Sequence, residues 1–118
     1  MTAETLSTAW ADLDDFVAAF ESAQARDGHS DLSDYLPAAP HPLYRAVASE
    51  LIRVDLEFSW KRGQPKRLED YEPLFPDLFQ DPDILEGIAF EEYRLRRQAG
   101  ELPCPSEYRQ RFGVRLSL

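Results

Sequence analysis

From Pro42 to Arg62 the chain runs without a glycine or a further proline, and Leu43, Val47, Leu51, Val54 and Phe58 recur at steps of four and three. That spacing lays them along one stripe of an α-helix, because residues three and four apart share a helical face. Tyr44, Ala48 and Leu56 widen the stripe, which places the segment at the centre of the expected fold. Pro42 suits a first helical turn, where its missing N–H has no partner to lose, and Gly63 supplies the stop. A helix over 42–62 is therefore the element around which the rest must be arranged.

Two other segments carry the same grammar. Leu6, Trp10, Leu13, Val17 and Phe20 form one stripe, with Asp12, Asp14, Asp15 and Glu21 off it, and predict a helix over 6–27 closed by Gly28. Ser30 or Asp31 can cap a short turn through Tyr35 before Pro37 stops it, and Ala38 to Pro40 reads as a linker. Asp81 followed by Pro82 is an N-cap with a first-turn proline, opening a helix over 82–99 with Ile84, Leu85, Ile88, Ala89 and Leu95 inward and Gly100 at its end. Between them, Pro65 to Phe79 is rich in prolines and aromatics, which suits short helical turns, and Pro105 to Arg111 is a last short helical candidate.

No alternating strand pattern appears, so the expected fold is all-α: one compact helical domain over 1–118, with three long helices and short turns. Its expected core is Trp10, Leu13, Phe16, Val17, Phe20, Leu51, Val54, Phe58, Tyr71, Phe75, Ile88, Leu95, Tyr108 and Phe112. Truncating Phe58 to Ala would cost about 3–5 kcal/mol if its ring were fully buried.

A weak internal repeat accompanies the helices. Gly63, Tyr71 and Phe75 recur as Gly100, Tyr108 and Phe112, 37 residues later, each set following a helix with basic residues in its last turn. The two copies read RGQPKRLEDYEPLF and AGELPCPSEYRQRF; Gly28 with DLSDYLP is a degenerate third. On this reading each tyrosine and phenylalanine folds back on its own long helix.

The charge balance narrows the function. Thirteen Lys and Arg against 22 Asp and Glu give a net charge of -9 in 118 residues, which argues against nucleic acid as a partner. The single Cys104 can form no internal disulfide, and Met1 leads into neither an export signal nor a membrane span, so a cytoplasmic location and no membrane partner are expected. The five glycines are dispersed, which gives no phosphate-cradling loop. His29 and His41 read as loop-surface histidines without metal-ligand spacing, and Cys104 lies between Pro103 and Pro105 outside any nucleophile motif. No metal and no cofactor are expected.

Carboxylates cluster at Asp12, Asp14 and Asp15, at Glu69 and Asp70, at Asp81 and Asp83, and at Glu91 and Glu92. Such pairs can serve general acid–base chemistry, which keeps a small stand-alone acidic enzyme as the alternative function; solvated helix faces are the plainer reading. The cations are unevenly spread, two against nine acids in the first 50 residues and eleven against thirteen in the remaining 68. Lys61, Arg62, Lys66 and Arg67 surround Gly63, and Arg94, Arg96 and Arg97 precede Gly100, where they oppose the negative end of a helix dipole or offer a patch to an acidic partner.

The stretch ELIRVDLEFSWKRGQPKRLEDYEPLFPDL, with FEEYRLRRQAGELPCPSEYRQRFG, resembles the region ahead of the kinase domain in planctomycete-type bacterial serine/threonine protein kinases. Val54, Asp55, Glu57, Trp60 to Gly63, Leu68, Asp70, Tyr71, Phe75, Phe90 to Arg97, Gly100, Tyr108 and Phe112 carry the likeness, which runs from about residue 12 to residue 113. The resemblance implies a helical module preceding an ATP-dependent kinase. The kinase's own glycine-rich loop, strand lysine, HRD-type loop and DFG site have no counterpart here, and the apolar ending at Val114, Leu116 and Leu118 reads as a cut. The expected function is a non-catalytic regulatory or protein-interaction module. It would dock a protein partner or the adjoining kinase domain through Trp60, Lys61, Arg62, Lys66 and Arg67, with Trp60 open between a core and an interface role.

Overall fold

The computed structural model describes residues 2–28 and 30–116, with side chains from residue 13 onward. Leu6, Trp10, Asp12, His29 and Leu118, which the sequence reading had used, lie in whole or in side chain outside the described residues. The protein is all-helical, with no strand among the described residues. Its α-helices are α1 (Thr2–Asp27), α2 (Tyr44–Lys61), α3 (Pro82–Gln98) and α4 (Pro105–Phe112). Short 3-10 turns occupy Leu32–Tyr35, Leu68–Asp70 and Leu78–Gln80. No described helix is long and apolar enough to cross a membrane.

The boundaries follow local chemistry. The Asp31 side chain accepts from the Ser33 N–H at 2.9 Å and starts the first 3-10 turn. Asp81 accepts from the N–H groups of Asp83 and Ile84 at 3.1 and 3.3 Å, with Pro82 in the first turn of α3. At α2 the expected start moves: Pro42 and Leu43 form a turn ahead of Tyr44, and His41 Nδ1 accepts from the Leu43 N–H at 3.0 Å. His41 is thus half-buried and part of the helix entry, where its ring meets Phe16 edge-on with centroids 6.0 Å apart, rather than a surface loop residue.

The helix exits use two different devices. At Gly63 the N–H donates to Trp60 O at 3.1 Å and the Gln64 N–H reaches Ser59 O at 3.0 Å; at Gly100 the matching bonds run to Arg97 O and, from Glu101, to Arg96 O, each at 3.0 Å. These are Schellman closures, and they need the positive φ of 76° and 92° that glycine adopts without a Cβ penalty. Helices α1 and α4 end in the simpler single bond, Gly28 to Gln24 O and Gly113 to Arg109 O, each at 2.8 Å.

The chain divides into two units, residues 1–58 and 59–118. In the first, Phe20, Val47, Ala48, Leu51, Ile52 and Leu56 are fully covered, and Phe20 meets Tyr35 with ring centroids 5.5 Å apart. In the second, Leu68, Tyr71, Leu78, Ile88, Ala89 and Tyr108 are at 1% exposure or less. Of the expected core, Phe20, Leu51, Tyr71, Phe75, Ile88, Leu95 and Tyr108 are buried, whereas Leu13, Phe16, Val17, Val54, Phe58 and Phe112 are half-buried. Phe58→Ala is accordingly expected to cost about 1–3 kcal/mol rather than the full-burial figure.

Candidate functional site

The second unit is built around a carboxylate. Glu92 lies in α3 one turn beyond Ile88 and Ala89, on the same face, and is 1% exposed. It accepts from the Leu68 N–H at 2.8 Å, from the Tyr108 hydroxyl at 2.7 Å and from both terminal nitrogens of Arg111 at 2.6 and 3.2 Å. One side chain thus ties the 3-10 turn at Leu68–Asp70 to α3 and α4. A buried carboxylate is tolerable only when paired and hydrogen-bonded, and these four bonds meet that condition.

The network spreads outward through two arginines. Arg111 also binds Glu69, at 2.9 and 2.5 Å, and Glu107 at 2.9 Å, while its guanidinium lies 5.0 Å from the Tyr108 ring centre. Arg96 donates to Glu101 at 2.9 Å, to Glu107 at 2.5 Å and to the Tyr108 oxygen at 3.2 Å. Bonds from Arg111 hold the Glu69 carboxyl below the usual carboxylate range, and bonds from Arg96 do the same for Glu107, in each case against the opposing effect of burial. For Arg96 and Arg111 burial works to weaken the charge, but hydrogen bonds to the surrounding carboxylates outweigh it and raise both pKa values. Burial, with the Glu92 carboxylate beside it, pushes the Tyr108 phenol up; the bond from Arg96 offsets part of this.

Beside this network is a cleft of about 100 Å³, lined by Trp60, Pro65, Arg67, Glu92, Arg96 and Glu101. It brings together residues that the sequence reading had assigned to separate roles. Trp60, in the last turn of α2, is half-buried, and its Nε1 is covered without a hydrogen-bond partner. Arg67 is exposed; its N–H donates to Asp70 at 2.8 Å, and its charge adds to the lowering of the Glu69 carboxyl that Arg111 dominates.

The remaining members of the anticipated patch differ in availability. Lys61 is exposed, whereas Arg62 is half-buried with its Nε covered. Lys66 is half-buried, its N–H donating to Ser59 Oγ at 3.1 Å and its Nζ lying 5.7 Å from the Tyr71 ring centre. Arg94 pairs with Glu91 and Arg97 lies over the Tyr93 ring at 5.9 Å, so of the three basic residues ahead of Gly100 it is Arg96 that enters the network.

The clustered acids are likewise distributed. Asp14 and Asp15 are exposed, Asp81 caps α3, Asp70 binds the Arg67 N–H, Glu69 and Glu92 share Arg111, and Glu91 pairs with Arg94. Cys104 is exposed, 2.9 Å from Ser106 Oγ, and hydrogen bonding to Ser106 lowers its thiol pKa. Among the described residues no group of three His, Cys, Asp or Glu side chains could hold a metal ion.

The Glu92 network was missed from sequence because Glu91 and Glu92 read as one solvated pair. The available signal was position: Leu85, Ile88, Ala89, Glu92 and Leu95 follow the three-and-four spacing, which puts an acid in the middle of an apolar stripe. No family model, no curated protein and no solved structure matches this chain.

Proposed function

We propose that the chain is a non-catalytic protein-interaction or regulatory module, with the N-terminal region of a bacterial serine/threonine protein kinase as its setting and the adjoining kinase domain as its foremost partner. What supports this reading is the distribution of charge around Trp60. Lys61 and Arg67 stand exposed on a chain of net charge -9, and Arg67 shares a cleft with the half-buried indole, a composition suited to recognition. The acids of the second unit that come together are drawn into arginine pairs, Glu91 with Arg94 and both Glu69 and Glu92 with Arg111. The 37-residue repeat belongs to the same proposal: three long helices, of which the second and third close with matching Schellman bonds at Gly63 and Gly100, each followed by a buried tyrosine, Tyr71 and Tyr108. A cytoplasmic location follows from the same setting.

Affinity capture with the immobilised 118-residue chain, using the parent's kinase domain and extracts of the native cell as sources, tests the reading. Charge reversal at the two exposed positions, Lys61→Glu with Arg67→Glu, is expected to abolish specific capture with little change in melting temperature. Arg62 is left intact because its half-burial would confound the result with stability. Capture that survives the double reversal excludes this surface.

A further inference from the structure

The outer face of α3 is not accounted for by the fold. Of the exposed large hydrophobic residues among the described ones, Leu74, Phe90 and Leu102, Phe90 alone stands on a helix, and it is 41% exposed. Helical spacing puts Asp83, Glu86, Gly87, Arg94 and Arg97 on the same side as Phe90. Asp83 and Arg97 are exposed, and Glu86, Gly87 and Arg94 are half-buried. Acids thus occupy the first half of this face and cations the second, with an aromatic ring midway. The helix dipole explains the charges at each end. It explains neither the exposed ring nor Gly87 one turn before it, a residue type that weakens a helix interior.

Such a face is complementary to itself when a second helix runs antiparallel to it. About a two-fold axis at Phe90 the two Phe90 rings meet, Asp83 of each copy lies level with Arg97 of the other, and the missing Cβ at Gly87 lets the helices approach. We propose that two copies of this chain associate through this face of α3. The outer charges matter most. Asp83 and Arg97 form no ion pair among the described residues, Arg97 lying over the Tyr93 ring at 5.9 Å, whereas Arg94 already holds Glu91. A parallel arrangement would set Asp83 against Asp83 and Arg97 against Arg97, so the charges also choose the direction. One helix face buries less than about 1,200 Å², the range of weak, reversible contacts. The inference uses neither Lys61 nor Arg67 and does not rest on the docking reading above.

Sedimentation equilibrium of the whole chain, from micromolar to millimolar concentration in about 0.15 M salt to screen the net charge of -9, is expected to show a reversible monomer–dimer equilibrium. Phe90→Ser should weaken it about tenfold or more. Asp83→Lys and Arg97→Glu should each abolish self-association, because each sets like charges level with each other. Asp83→Lys does so while reducing the net charge, which separates its effect from general repulsion. Mixing these two variants should restore a dimer holding one copy of each. Melting temperatures verify that the variants are folded, and where a charge reversal melts early, Asp83→Asn or Arg97→Gln replaces it, with association weakened several-fold. Mass that stays monomeric at millimolar concentration, association unchanged in Phe90→Ser, or charge variants that self-associate like the parent or fail to pair when mixed overturns the proposal. A monomeric chain that captures a different protein from native extract, with capture lost in Phe90→Ser, assigns the face to that protein and also overturns it. The Lys61→Glu, Arg67→Glu variant should dimerise as the parent does, so this inference and the docking reading fail separately.

Discussion

Each unit buries an acid, and a neutral amide meets the one where an arginine meets the other. In the first, Asp55 is 1% exposed and accepts from Gln24 Nε2 at 2.8 Å, while the Gln24 oxygen receives the Ser30 N–H at 3.3 Å. In the second, Glu92 is equally covered but faces the charged fork of Arg111, which in turn holds Glu69 and Glu107. A buried amide carries a neutral donor and acceptor, so it ties backbone to side chain without bringing in another charge. A buried arginine adds a second ion whose loss leaves the first unpaired, and truncating one partner of such a pair is costlier than deleting a neutral hydrogen bond. Removing Gln24 should therefore cost less than removing Glu92.

The sharpest way to break this contrast is Glu92→Ala. It removes the acceptor of Arg111, Tyr108 and the Leu68 N–H together, with an expected loss of about 3–5 kcal/mol by urea denaturation. A loss below ~1 kcal/mol would make the network ornamental. Gln24→Ala in the first unit is expected to cost less, about 1–3 kcal/mol, and a larger effect than Glu92→Ala would invert the comparison. Gly63→Ala, forced into a φ of 76°, should cost about 1–2 kcal/mol by the same measurement, with the new methyl meeting nothing within 4 Å.

The smallest effect is expected from acid. Arg111 and Arg96 depress Glu69 and Glu107 below their ordinary value of 4.5. A depressed folded-state pKa means a contribution fully present above about pH 4.5 and lost as pH falls from there through the folded values. Both groups are partly exposed, which keeps the contribution modest. Carboxyl chemical shifts should place both midpoints below 4.5, with amide exchange in α4 accelerating over that window. Midpoints at or above the ordinary value would remove the arginines as the cause.

Much of the architecture was legible because helical periodicity and its punctuation are local. Asp81 with Pro82, the glycines at 28, 63 and 100, and the stripe through Leu51 can each be read from a few neighbouring residues. The buried polar groups were not, since burial is decided by partners distant in sequence: Gln24 and Asp55 are 31 residues apart, and Leu68 and Glu92 are 24 apart. The basic cluster around Gly63 was legible as composition, but the exposure of its members was not. Nothing local distinguishes the exposed Lys61 from the half-buried Arg62 beside it, and the inclusion of Arg96 and Glu101 in the Trp60 cleft depends on how α3 folds back.

Helix α4 has only eight residues, too few to hold together alone in water, so competing packings against α3 must be discouraged by its side chains. Tyr108 and Arg111, three residues apart, both address Glu92. Slide the helix by one residue in one direction and Glu107 with Gln110 would face that carboxylate, placing like charges together; slide it the other way and Arg109 with Phe112 would, leaving a ring where the guanidinium belongs. The first slip sets like charges together and the second trades the tyrosine hydroxyl and the Arg111 fork for Arg109 and a ring, whereas an all-leucine contact would accept either with little loss. The ionic cluster thereby acts as a register key, widening the gap between the native alignment and its nearest rivals.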